Sequence, residues 1–127
     1  MATWEDVRRI AAGLPETVEE PERQWRIRKK LIAWERPLRK SDLEALGDGA
    51  PTGDILGIRV CDEQDKHALI AGDPGVFFTT PHFDGYPIVL ARLEATGVGL
   101  LEELVTDAWR DRAPKRLVAA FDERGAP

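Results

Sequence analysis

Apolar residues recur along this chain at two different periods, and the switching between them predicts the order of its elements. Trp4, Val7, Ile10, Ala11 and Leu14 fall at helical spacing behind Thr3, with Asp6 in the capping-box position, so the chain opens on an amphipathic helix. Gly13, Leu14 and Pro15 close it, and residues 16–22 read as an acidic connection interrupted by Pro21. Residues 24–28 and 31–36 then alternate in the manner of strands. They predict a hairpin around Arg28-Lys29-Lys30, with Trp25 and Ile27 facing the core and Arg26 and Arg28 facing water.

Ser41-Asp42-Leu43-Glu44 has the form of a capping box, with Ser41 as the cap of a short helix that runs to Leu46. Gly47, Gly49, Pro51 and Gly53 follow as a loop, the interior segment expected to be most mobile. Residues 55–60 predict a third strand, and Asp62 caps a helix over residues 63–71 that stops at Gly72-Asp73-Pro74. Residues 76–80 and 87–93 predict a second hairpin, because Asp84-Gly85 between strand-prone runs is a tight-turn signal. Ile88, Val89, Leu90 and Ala91 are apolar on both alternating faces, as in a strand inside a sheet covered by helices. Val98, Leu101, Leu104, Val105, Ala108 and Trp109 lay a stripe along a helix ending near Arg112. Pro114 suits the first turn of a last helix, in which Leu117, Val118 and Phe121 face inward, and residues 122–127 are expected to fray. Hairpins interleaved with helices predict an α+β fold, a single domain over residues 1–127 whose largely antiparallel sheet has helices packed against it.

Composition changes this picture little. A chain of 127 residues, 43% apolar and 32% charged, can bury one core without a disulfide or a structural metal. Cys61 is the only cysteine and reads as a small strand residue in a reducing compartment. No basic leader precedes an apolar run and no stretch is long enough to span a bilayer, so a cytoplasmic protein with no membrane partner is expected.

Charge changes it more. The net charge of −5 hides a segment, residues 23–40, in which Arg23, Arg26, Arg28, Lys29, Lys30, Arg36, Arg39 and Lys40 stand against the single acid Glu35. That segment is strongly basic and the rest of the chain strongly acidic. Arg and Lys interleaved with Trp25 and Trp34 have the makings of a surface that neutralises phosphates while an indole stacks on a base. The competing reading is a solvated strand face whose arginines pair with the acids of residues 16–22.

Catalytic chemistry is poorly supplied. Ser41, the only serine, has a role as a cap, and neither Cys61 nor His67 sits in a recognisable nucleophile signature. His82 and Asp84 share a loop with Tyr86, but a metal site wants three or four ligands; a hydrogen-bonding role for His82 and a turn-forming role for Asp84 are the simpler expectation. No glycine-rich phosphate loop is present, so no nucleotide cofactor and no metal are expected.

A set of short motifs adds a further line. Gly13-Leu14-Pro15-Glu16, Trp25, Lys30-Leu31-Ile32-Ala33, Leu56-Gly57-Ile58-Arg59-Val60, Phe77-Phe78-Thr79-Thr80-Pro81-His82-Phe83-Asp84-Gly85-Tyr86-Pro87, and Asp107-Ala108-Trp109-Arg110 with Ala113-Pro114-Lys115-Arg116-Leu117 follow one another in an order that resembles the MmcQ/YjbR-like family, especially its actinobacterial members. The resemblance implies a CyaY-like or double-wing arrangement, an antiparallel sheet with flanking helices, and carries a suggestion of DNA binding. Family members often place a glycine in the turn before Lys30, where this chain has Arg28-Lys29, making the hairpin tip more basic.

The expectation is a non-catalytic interaction domain. Its candidate DNA- or RNA-contacting residues are Arg23, Trp25, Arg26, Arg28, Lys29 and Lys30, assisted by Lys115 and Arg116. The alternative is a protein or small-molecule binder with a cleft near Arg59, His82, Asp84, Tyr86 and Trp109.

Overall fold

In the computed structural model, which describes residues 1–125, the chain opens on α1 (Trp4–Ala12). Its start is the predicted capping box: Thr3 Oγ1 accepts from the Asp6 amide at 3.3 Å, and the Asp6 carboxylate accepts from the Thr3 amide at 2.9 Å. The acidic connection that follows is in part a strand. β1 (Thr17–Glu19) pairs antiparallel with β2 (Gln24–Ile27) and forms one edge of the sheet. Three residues, with Val18 49% exposed, are too few to produce a readable alternation.

β3 (Lys30–Glu35), β4 (Ile55–Arg59), β5 (Phe77–Phe78) and β6 (Ile88–Arg92) complete a sheet of order β1-β2-β3-β4-β6-β5, with every neighbouring pair antiparallel. The fold is the predicted α+β class. In the β2–β3 ladder Trp25 pairs with Ala33 and Arg26 with Leu31, so Ile32 is an extra residue on β3. This bulge lets Ile32 and Ala33 both enter the main core.

One face of the sheet is covered by helices. α1 and α4 (Val98–Arg112) pack there around Val7, Trp25, Ile58, Val89, Leu101 and Trp109. The other face, where Trp34, Ile55, Phe78, Ile88 and Leu90 point, is covered by Leu38 and by Phe83. That cover is the loop of residues 79–87, which packs in turn against α2 (Lys40–Leu46), so β6 is buried on both sides but only one side is helical in the expected way.

The cap of α2 differs from expectation. Ser41 is exposed, and the helix starts two residues earlier than a Ser41 cap would place it, behind Arg39. The Asp42 carboxylate accepts from the Arg39 amide at 2.8 Å and from Arg36 Nη2 at 3.0 Å, and Arg36 also donates to the Pro37 carbonyl. Arg36 and Asp42 are both buried, with the guanidinium 5.2 Å from the Phe83 ring. Burial works to raise the Asp42 carboxyl, but the Arg39 amide and Arg36 outweigh it and leave it below the ordinary value. A carboxylate with a buried arginine to neutralise outcompetes a serine hydroxyl for the cap.

The second hairpin is also longer than predicted. β5 and β6 pair through Phe77 with Ala91 and Phe78 with Leu90, but residues 79–87 intervene as a 3-10 turn, Pro81–Phe83, followed by a bend. Asp84-Gly85 does centre a turn, closed by the Tyr86 amide on the Phe83 carbonyl at 3.1 Å, and Gly85 has φ +83°. That turn folds Phe83 back over the sheet instead of joining two strands directly.

α3 (Glu63–Gly72) carries its predicted cap, the Asp62 carboxylate on the Asp65 amide at 2.8 Å. α5 (Lys115–Gly125) sets Phe121 against Trp109, ring centroids 5.0 Å apart, and Asp122 against Arg110 at 2.5 Å. Residues 122–125 therefore continue a helix where fraying was expected, and residues 126–127 lie outside those described.

Candidate nucleic-acid interface

The β2–β3 hairpin presents its cations and hides its indole. Trp25 is 1% exposed and stacks on Trp4 with centroids 6.2 Å apart, which removes it as a platform for a base. Trp34 is part of the second-face cluster. Arg23 is committed to structure: its backbone is left-handed at φ +59°, Nη1 donates to Glu35 at 3.0 Å, and the guanidinium lies 5.2 Å from the Trp4 ring. Trp25 is thus a core residue, and Arg23, though partly exposed, is tied into the fold.

Arg26, Arg28, Lys29 and Lys30 remain on the surface. Arg26 donates to the Glu20 carbonyl and to the Gln24 side chain, neither of which neutralises it. Arg28 takes the turn position that lacks a glycine, at φ +56°, and pairs with Glu16 at 3.1 Å with both side chains about half exposed. Among the described residues, Arg26, Lys29 and Lys30 pair with no carboxylate.

The acids of residues 16–22 are only partly available to neutralise this tip. Glu19 turns the other way, its carboxylate held by Arg8 at 2.6 and 2.8 Å and by the Arg23 amide at 2.9 Å. Hydrogen bonding from Arg8, more than the Arg23 amide, holds the Glu19 carboxyl down at about 2 against the opposing effect of burial. Arg28–Glu16 is thus the ion pair that joins the acidic segment to the hairpin.

The fold brings the tip against the α4–α5 corner. Arg28 and Arg116 line one hollow of about 530 Å³ beside Pro114 and Leu117. Arg28, Lys30 and Arg112 line a second of about 430 Å³ that shares Pro114. Lys115 is exposed next to Arg116. Arg112 also lies within electrostatic range of Arg59 at the end of β4, and the Nε of each is buried with no acceptor among the described residues. Burial and then Arg112 hold the Arg59 guanidinium below its ordinary value, with Asp111 opposing. Arg112 gave no sequence signal, since it reads only as a cation suited to a helix C-terminus.

The alternative cleft does not assemble. Trp109 is fully buried in the main core and donates Nε1–H to the Pro15 carbonyl at 3.0 Å. His82, Asp84 and Tyr86 are exposed on the loop over the opposite face, Tyr86 at 57%. The His82 ring meets Phe83 edge-on at 4.8 Å, and among the described residues neither the His82 nor the Asp84 side chain makes the hydrogen bonds expected of it. Holding this loop is Lys66, 1% exposed, which donates to the carbonyls of Phe83 at 2.7 Å and Tyr86 at 3.0 Å. Its one sequence signal is position: it shares a helical face with Leu69 and Ile70.

Cys61 is exposed, and Asp111 first, then Asp62, push its thiol up, so it stays protonated. His67 faces Glu63 at 3.2 Å. Among the described residues no group of three or more His, Cys, Asp and Glu is placed to hold a metal ion, and no helix is long and apolar enough to cross a membrane.

Comparison with known proteins agrees with this architecture. The YjbR family model matches residues 12–111. Uncharacterised proteins of Mycobacterium tuberculosis and Mycobacterium bovis are each 62% identical over 124 residues, covering 95% of this chain and 96% of theirs. A crystal structure of a Deinococcus radiodurans protein with a DUF419 domain superposes with a TM-score of 0.62 at 18% identity, covering 100% of this chain and 91% of that one, a likeness of fold.

Proposed function

The chain belongs to the YjbR family, and from that premise we propose that it is a non-catalytic, cytoplasmic interaction domain that contacts nucleic acid where the β2–β3 tip meets the start of α5. The observation that carries this reading is the meeting of Arg28, Lys30, Arg112 and Arg116 around Pro114, cations distant in sequence that converge on adjoining hollows. Four cations share these hollows with two acids, Glu16, which pairs with Arg28, and Asp111, so the charge there is net positive and complements a polyanion.

A polymer fits better than a single anion, because the cations run on from the hollows to Lys29 and Arg26 on one side and Lys115 on the other. Salt screens charges beyond about 8 Å, so more distant acids of the chain repel a strand held at the tip only weakly. The protonated Cys61 thiol supports a non-catalytic role. The contact is through backbone phosphates, since Trp25 and Trp34 are held in the fold.

The test is fluorescence anisotropy of labelled DNA and RNA oligonucleotides against the full chain at a series of salt concentrations. Binding that weakens steeply with salt, and weakens further when Lys29, Lys30 and Arg116 become Ala, is expected. Absence of binding at low salt would refute the reading.

A further inference from the structure

α3 and α4 flank a groove of about 520 Å³ that shares Asp111 with the second basic hollow. That is the size of a site for a small organic molecule. Its floor is apolar, made by Val60, Leu69, Leu104 and Ala108. Its rim carries Asp65 from α3 and Asp107 and Asp111 from α4, and among the described residues none of the three forms an ion pair. Asp107 and Asp111 are one helical turn apart, an arrangement in which like charges repel.

The arginines at the rim answer this charge only in part. Arg110 is engaged by Asp122 on α5 at 2.5 Å, and Arg59, favoured by Asp111 but opposed by Arg112, forms no ion pair among the described residues. Cys61, on the groove wall, senses the resulting field: Asp111, Asp62 and Asp65 all push its thiol up. An apolar floor beneath unpaired carboxylates complements one kind of ligand, a hydrocarbon body with a positive end.

We propose that the groove between α3 and α4 binds a small organic cation, an alkyl- or arylamine, with its hydrocarbon on Val60, Leu69 and Leu104 and its ammonium among Asp65, Asp107 and Asp111. The site is opposite in charge to the nucleic-acid surface and does not depend on that reading.

The experiment titrates the full chain with three probes of one shape, phenethylammonium, phenethyl alcohol and hydrocinnamate, followed by backbone amide chemical shifts. The amine alone is expected to give saturable shifts centred on Val60, Cys61, Leu69 and Ala108. Changing Asp107→Asn with Asp111→Asn should weaken it by about tenfold or more, and Asp65→Asn, on the other helix, should weaken it separately. All three aspartates are exposed, so amide shifts far from the groove serve as the check that the variants remain folded. Equal or tighter binding of the alcohol or the carboxylate would overturn the proposal, as would the absence of saturable shifts with the amine at millimolar concentrations, or an unchanged affinity in the aspartate variants.

Discussion

The indole of Trp34 lies flat across Gly57 on the neighbouring strand, so close that a Cβ at position 57 would stand 2.6 Å from Cε2 and 2.8 Å from Cζ2. The glycine is required by this contact between side chain and strand, on the face that Phe83 covers. Gly57→Ala should destabilise the fold by about 1–3 kcal/mol, because β4 is central and neither strand can withdraw. Urea denaturation measures it. Trp34→Leu in the same chain should recover part of the loss in a double-mutant cycle, and strictly additive effects would show that the clash is not with the ring.

Lys66 secures the loop that the same face depends on. Lys66→Met keeps the stem and removes the ammonium, leaving the Phe83 and Tyr86 carbonyls without a donor. The expected cost is about 1–3 kcal/mol. Hydrogen exchange should quicken first at the amides of Phe83, Asp84 and Tyr86, well before those of α1; a uniform loss of protection would mean that the lysine supports the whole fold equally.

The Arg36–Asp42 pair is buried beneath the same loop. Asp42→Ala strands the guanidinium and uncaps α2, for an expected loss of about 3–5 kcal/mol. Ser41→Ala, the variant that a serine cap would make damaging, should change stability by less than about 0.5 kcal/mol. Thermal unfolding of the two variants side by side checks both statements.

Glu19 makes stability depend on pH in one direction. Its folded value of about 2 lies below the ordinary 4.5, so its contribution is full above about 4.5 and is lost as pH falls towards 2. Because Arg8 is 37% exposed on its side chain, the contribution is on the order of 1–2 kcal/mol. Glu19→Gln should lower stability at pH 7 and flatten the acid limb below pH 4.5, which denaturant midpoints across that range would reveal.

The surface cations should separate by context. Lys29→Ala with Lys30→Ala is expected to reduce the slope of log affinity against log salt by about two, with stability unchanged, as each lysine is exposed and unpaired. Arg23→Ala should instead destabilise the fold, by about 1–2 kcal/mol, through loss of its contacts with Trp4 and Glu35.

For several elements that carried their own pattern, the sequence alone was sufficient. The Thr3 and Asp62 caps, the stripe from Leu101 to Trp109, the hairpin faces of Trp25 and Ile27 and the covered strand of Val89, Leu90 and Ala91 are all local facts of spacing. They reappear in the structure because short-range hydrogen bonds and period set them. Local pattern could not say which polar group wins a shared partner. Asp42 displaced Ser41 because it had Arg36 to neutralise in a buried place, and β1 exists because β2 offers it a ladder. Trp25 and Trp109 left the candidate sites for the core, where their area is worth more. Convergence was likewise a tertiary matter: Arg28 meets Arg112 and Arg116, and Asp65 meets Asp107, across many residues of intervening chain. The sequence by itself determined the elements and the sign of each segment's charge, which are properties of neighbours along the chain. Only the folded structure decided which charges remain unpaired and which surfaces they share, because pairing and burial are settled between elements that meet only after packing.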